Sequence, residues 1–332
     1  MNIKEALKNI NKKLALDGQD RYSLVSELAP GSLDTKCYST GSPYLDYKIR
    51  NDNGGFPKGR MTLIVGNEGS GKSSLICCAA AKMQKEDGKV LVYFDSEGTL
   101  DSSHFDRFGV DMSLTVHRPT KNLEEALNVG EELSKCEDVG MIVYDSIIMF
   151  VSTTTEERTA DENNMTIEAR KFNSRMPIIY GNCNRRGISL VCVNFYREKP
   201  MAMGDPRYLS RGHWQEQMSS LTLDLTKKDL LLDNNKNVVG HELDVRIKKS
   251  KLGSADSKDA FRINLYHQYG FDEVDEVTSI LIDNGVINKS GAWFSFIDES
   301  TGEEIKLQGK SSVVSYFKNN NNFFESIKNR LK

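Results

Sequence analysis

Residues 61–74 read MTLIVGNEGSGKSS. An apolar run of strand length leads straight into Gly66–Ser73, which fits G-x-x-x-x-G-K-[ST], and a helical stretch, Lys72–Glu86, follows. Strand, glycine-rich turn and helix form the setting in which this pattern holds phosphate. Glycines let the backbone curl until several N–H groups converge on phosphate oxygens. The start of the helix adds partial positive charge. Lys72 suits the outer phosphates and Ser73 offers a hydroxyl to Mg²⁺. The cradle is therefore read as Gly66, Asn67, Glu68, Gly69, Ser70, Gly71, Lys72, Ser73 and Ser74, with ATP and Mg²⁺ as the expected ligands.

Outward from this stretch, further apolar runs follow: KVLVYFD at 89–95, LTV at 114–116, MIVYD at 141–145 and ISLVCVN at 188–194. They are rich in Val, Ile and Leu and barely interrupted, as in strands covered on both faces. Helical stretches at Leu123–Cys136 and Thr166–Arg186 separate some of them. Strands alternating with helices give an α/β fold, a mostly parallel sheet with helices on both faces. From Ser219, SLTLDLTKK, ELDVRIKKSK and FRINLY alternate apolar and polar residues, which predicts antiparallel strands at the sheet edge. Gly31–Pro57 reads mostly as connection. The domain organisation expected is a helical segment at 1–32, a core at 33–271 and a small α+β domain at 272–332. That last domain should hold a helix at Val274–Asn284, an aromatic hairpin and terminal helices.

The 332 residues carry a net charge of -3, so any polyanion site must be a local concentration of cations. Six cysteines form no C-x-x-C pair, which speaks against structural zinc. There is no apolar signal core at the N-terminus and no run of the ~20 apolar residues a membrane helix needs. A soluble, cytoplasmic protein with no membrane partner is the expectation.

Asp145 ends a neighbouring strand, where a carboxylate points into the ligand crevice and can hold Mg²⁺ with Ser73; a helix cap is the plainer reading. Glu97, just past KVLVYFD, could orient the water that attacks the γ-phosphate, or could be a solvated cap. Phe195–His213 mixes Arg197, Lys199, Arg207 and Arg211 with Tyr196 and Tyr208. Cations suit phosphates and flat rings suit single-stranded bases, although a solvated loop has the same composition. VRIKKSK at 245–251 is an edge-protecting charge row or a phosphate contact to another subunit.

With these stretches in hand, the chain resembles the RecA family of recombinases over nearly all its length. STGSPYLDYKI ahead of the P-loop, YFDSEGTLDSSHFDRFGVD, VYDS and VRIKKSKLG all resemble family segments. Most specific is GVINKSGAWFSF with GEEIKLQGKSSVVSYFKNN, similar to the small C-terminal module of the bacterial proteins. The resemblance implies a RecA-type P-loop NTPase core. It implies that Glu97 polarises water, that Asp101 and His104 lie near adenine, and that Asn194 senses the γ-phosphate. Lys249 and Lys251 would act on the ATP of an adjacent subunit. DNA loops would span 156–164 and 196–213, with Arg170, Tyr196, Arg197, Lys199, Arg207, Tyr208, Arg211 and Gly212 as contacts. The implied activity is DNA-dependent ATP hydrolysis with homologous pairing and strand exchange. The partners implied are single- and double-stranded DNA, further copies of the chain in a helical filament built through the N-terminal helix, and single-strand-binding and loading proteins.

Departures from the family pattern are His104 for Tyr, Phe195 for Gln, Asn67 for Pro, and Glu216–Gln217 for a Lys and an aromatic. They describe a diverged member, with bacteriophage origin as one expectation. They also keep a second reading open, an accessory paralogue that binds ATP and a recombinase without exchanging strands.

Overall fold

The computed structural model describes residues 2–15, 21–27, 34–51, 53–153, 164–198, 207–253, 259–298 and 302–331. Two compact units emerge, Met1–Lys36 and Cys37–Lys332. In the first, helix Ile3–Lys13 starts at Asn2, whose side chain accepts from Glu5 N, and the buried Asn11 exchanges two hydrogen bonds with the backbone of Tyr22.

The second unit is built on eight strands: β1 (Met61–Gly66), β2 (Val90–Asp95), β3 (Thr115–Pro119), β4 (Val139–Asp145), β5 (Ser189–Asn194), β6 (Ser219–Leu232), β7 (Val238–Ser250) and β8 (Phe261–Tyr266). They lie in the order β8-β7-β6-β1-β5-β4-β2-β3. The uninterrupted apolar runs have a simple cause. Successive side chains of a strand point to opposite faces, and both faces are covered. Ile64, Leu91, Tyr93, Met141, Val143, Val191 and Val193 enter one core with helix Lys72–Asp87. Leu63, Val65, Val92, Phe94, Ile142, Tyr144, Leu190 and Cys192 enter another with helices Leu123–Leu133 and Asn164–Arg186.

Three expectations change. β6 pairs parallel with β1 on one side and antiparallel with β7 on the other, and β7 pairs antiparallel with β8. The segment after β5 includes the helix Trp214–Met218, and the chain re-enters beside β1 in the same direction. Second, Gly31–Pro57 is more than connection. Cys37–Tyr38 pairs with Phe56–Pro57, and helix Pro43–Ile49 lies between them, started by Ser42. Third, the ends of Phe195–His213 are regular: Tyr196–Glu198 and Arg207–Leu209 pair as an antiparallel ladder.

The C-terminal region has helix Glu273–Asp283, strands Asn288–Ser290, Trp293–Ile297 and Glu304–Gln308, and helices Lys310–Asn319 and Asn321–Lys328 around a separate apolar cluster that includes Phe296, Phe317 and Phe324. Its first helix packs on Pro43–Ile49. There the Ser42 hydroxyl and the Tyr44 N–H both donate to Oε2 of Glu276, at 2.7 and 3.2 Å, while Oε1 has no partner among the described residues. Burial, helped by nearby Asp46 and Asp275, pushes the Glu276 carboxyl up to about 8 against the hydrogen bonds that favour its charge. The folded protein therefore keeps a proton that the unfolded chain releases near the ordinary carboxylate value. This contribution to stability is full below that value and is lost as pH rises toward 8. Glu276→Gln is expected to narrow the difference in Tm between pH 5 and pH 8 by a few degrees. An unchanged difference in thermal melts would refute the assignment.

Candidate nucleotide-binding active site

The carboxyl ends of β1, β2 and β4 open on one crevice, the expected ligand position of such a sheet. β1 ends at Gly66, where a Cβ would lie 2.3 Å from the Leu225 carbonyl oxygen, so only glycine fits. Gly71 (φ +79°) turns the chain into helix Lys72–Asp87. Lys72 is 5% exposed, and its Nζ donates to the carbonyls of Gly66 (3.1 Å) and Asn67 (2.8 Å). The Phe195 ring centroid stands 4.1 Å from the same ammonium, within cation–π range. Burial lowers the Lys72 pKa, against the raising charges of Asp145, Glu97 and Glu68.

Ser73 Oγ donates to Asp145 Oδ2 at 2.7 Å, and the Tyr93 hydroxyl donates to the same oxygen. Burial raises the Asp145 pKa, while those two hydrogen bonds pull it back. Glu97 accepts from Ser146 Oγ at 3.3 Å, and burial and the Asp145 charge raise its pKa. Lys72, Ser73, Glu97, Asp145 and Phe195 line a cavity of about 410 Å³. The donor set fits a magnesium triphosphate. Mg²⁺ takes hard oxygen ligands, the Ser73 hydroxyl and Asp145 carboxylate stand together, and the Ser70 hydroxyl is buried within the curl with no partner among the described residues.

His104 also lines the cavity, its Nε2 buried without a partner among the described residues and its ring 5.1 Å from Phe108. Asp101 is outside the lining and caps helix Ser102–Arg107, accepting from His104 N and Ser103 Oγ. Asn194 is fully buried: its amide donates to Gln215 Oε1 (2.7 Å) and the Ser210 carbonyl (3.3 Å), away from the cradle, and Phe195 lines the cavity instead. Lys249 and Lys251 lie toward the opposite end of the sheet. Lys249 pairs with Thr222, which pairs with Leu63, three residues before Gly66.

Sequence reading missed one wall of the cavity. Lys227, His241 and His267 come from β6, β7 and the turn after β8. His241 Nδ1 is 3.2 Å from His267 Nε2, and burial with the charges of Lys227 and His267 pushes His241 down to about 4, so it is neutral at pH 7. No local pattern marks these residues, because strand register alone brings them to the cradle.

The loop residues divide. The 156–163 part of the first loop and Lys199 lie outside the described residues, as do the side chains of Asn164 and Arg207. Arg170 and Arg197 are exposed. Tyr208 is half-buried in the short ladder. Two of the expected contacts have internal partners. Arg211 is an internal anchor: Nη2 donates to the carbonyls of Ile148 (2.8 Å) and Phe150 (2.9 Å), and Nη1 contacts the buried Glu168 carboxylate. Tyr196 is occupied as well, with Lys248 over its ring at 4.8 Å and its hydroxyl donating to Asp224 at 3.2 Å. The ladder turns Tyr196 onto the sheet edge, where that lysine and carboxylate wait. Gly212 (φ +91°) completes the turn after Arg211.

A family model described as the RecA N-terminal domain matches residues 1–271, and one described as the RecA C-terminal domain matches 276–332. The chain belongs to the RecA family. It is 27% identical over 331 residues to Protein RecA of Mycoplasma mycoides subsp. mycoides, covering 98% of this chain and 91% of that one. It is 29% identical to Protein RecA of Malacoplasma penetrans (97% and 93% covered) and 29% to that of Mesoplasma florum (98% and 94%). RecA-family membership over both domains carries the recombinase function and disfavours the accessory-paralogue reading. RecA proteins are as a family DNA-dependent ATPases that use ATP with Mg²⁺ and form filaments on DNA. Among the described residues, no helix is long and apolar enough to cross a membrane.

Proposed function

We propose that this chain hydrolyses ATP when it binds single-stranded DNA, polymerises head to tail along that strand, and pairs it with homologous duplex. The observation that carries the reading is the meeting of Lys72, Ser73, Glu97 and Asp145 in one crevice, from the ends of three strands. Lys72 binds the outer phosphates. Ser73 and Asp145 hold Mg²⁺, which neutralises charge on the phosphates when bound. Glu97, with its proton affinity raised by burial and by the Asp145 charge, orients the attacking water and takes its proton. His104, Thr99 and Leu100 form the wall for the nucleoside.

Lys249 and Lys251, far from this chain's own cradle along the strand register, suit the nucleotide of an adjacent copy. Such a contact is heterologous and propagates as a helix. Phe195 joins the cradle to the DNA loop. It touches Lys72, and the loop's ladder starts at the next residue. Coupling then runs through a ring–ammonium contact in place of a hydrogen bond. ATP at the interface favours the DNA-gripping state, and hydrolysis releases it.

The test is ATP turnover with and without long single-stranded DNA, on wild type and Glu97→Gln. Wild type should be strongly stimulated. Glu97→Gln should lose about 10²–10⁴-fold in turnover while binding DNA as well or better. Equal turnover in the two proteins would remove Glu97 from the reaction.

A further inference from the structure

We propose that Asp95 and His117 form a positioning pair that fixes the backbone of residues 97–100 and thereby aims Glu97 at the attacking water. The inference rests on the reading of Glu97 given above.

Asp95 closes β2 and is 2% exposed. Its Oδ1 accepts from Glu97 N (3.1 Å) and Gly98 N (2.8 Å), and its Oδ2 accepts from Leu100 N (3.0 Å). One carboxylate thus holds three backbone N–H groups of the segment that carries Glu97 and that lines the nucleotide cavity at Thr99 and Leu100. His117, on edge strand β3, places Nε2 3.4 Å from the same Oδ2. Its ring packs edge-on against Phe105 and Tyr93, with centroids 5.2 and 6.2 Å away. Tyr93 in turn donates its hydroxyl to Asp145. One packed cluster therefore reaches the support of Glu97 on one side and the Asp145 carboxylate on the other.

The other tether of the segment is Ser96, whose N–H donates to the Asp145 carbonyl at 2.7 Å and whose hydroxyl donates to the Ser146 carbonyl at 2.9 Å. Ser96 fixes where the segment begins, and Asp95 fixes how it turns. An aspartate that merely capped a turn could be replaced by asparagine with little effect on chemistry. Here asparagine cannot serve both sides, because its NH₂ would face either the Leu100 N–H or the pair from Glu97 and Gly98, donor against donor. The segment must then rotate, and Glu97 moves with it. Small misplacements of a reacting group are costly to rate.

The experiment is a cycle of wild type, Asp95→Asn, Glu97→Gln and the double variant, with His117→Phe as a second probe that keeps ring packing and removes Nε2. DNA-stimulated turnover is read beside the affinity for a fluorescent ATP analogue. Asp95→Asn is expected to lower turnover roughly 10–100-fold, the usual effect of losing a supporting partner, and His117→Phe roughly tenfold or less on the same basis. Nucleotide affinity should stay within about threefold, since the P-loop keeps its own contacts. In the Glu97→Gln background, Asp95→Asn should cost nothing further. If Asp95→Asn lowers turnover by the same factor with or without Glu97, Asp95 acts elsewhere and the inference falls. Full activity of both Asp95→Asn and His117→Phe, with Glu97→Gln inactive, overturns it as well. A fully active Glu97→Gln instead refutes the reading of Glu97 itself, a separate result. Should Asp95→Asn fail to fold, His117→Phe decides alone: a severalfold loss of turnover that vanishes in the Glu97→Gln background supports the inference, and wild-type turnover overturns it.

Discussion

Lys72→Ala is expected to abolish ATP turnover, by at least about a hundredfold, with and without DNA. Lys72 and Lys227 are the cations among the described lining residues, and Lys227 is exposed on β6. Lys72 is buried and aimed into the curl by two carbonyls. A positive charge fixed in a poorly solvated site and directed where negative charge develops acts more strongly than the same charge in water, with no reorganisation at the moment of reaction. No other described cation is placed to substitute. The fold should survive, because the substitution removes a charge held at a desolvation cost and puts a strong helix former at the helix start. Turnover measured with and without long single-stranded DNA, beside a melting curve, checks both halves. Wild-type turnover in a folded Lys72→Ala protein would mean that the phosphates bind elsewhere.

Most of this site was legible in sequence because its parts are local. Gly66–Ser73 encodes a strand end, a turn and a helix start within a few residues. Asp145 and Glu97 are marked by the buried runs before them, whose two-sided burial the cores now explain. What was not legible depends on partners far along the chain. The composition of Phe195–His213 displays cations and rings but not the Glu168 carboxylate that takes Arg211, nor Asp224 and Lys248, which take Tyr196. His241 and His267 reach the cradle only through the pairing of β6, β7 and β8. The same pairing keeps Lys249 away from it. The antiparallel β6–β7–β8 edge was legible, but the parallel pairing of β6 with β1 was not, because alternation of apolar residues reports one exposed face and says nothing about which way the neighbouring strand runs.

The reassignment of Arg211 yields the largest expected effect on stability. Glu168 is 2% exposed, and its carboxylate meets a guanidinium whose side chain is only 10% exposed. The contact is a close ion pair, with Nη1 of Arg211 2.5 Å from Oε2 of Glu168. Burial lowers the Arg211 pKa, and the Glu168 charge opposes that. Glu168→Ala would leave the cation buried with two carbonyls as its partners among the described residues, and removing one partner of a buried pair costs about 3–5 kcal/mol. Arg211 also sits at φ +71°, a left-handed conformation that costs a non-glycine residue about 1 kcal/mol or more and persists only where its surroundings impose it. Without Glu168, that constraint weakens, and the turn that closes Phe195–His213 should loosen. Denaturant unfolding should therefore show the full loss for Glu168→Ala, and for Arg211→Ala a loss of stability with an unchanged salt dependence of DNA binding. A phosphate contact behaves in the opposite way. Its removal spares stability and lowers the log–log salt slope on single strands by about 0.7. An Arg211→Ala protein that melts like wild type and loses that increment of slope would return Arg211 to the DNA surface.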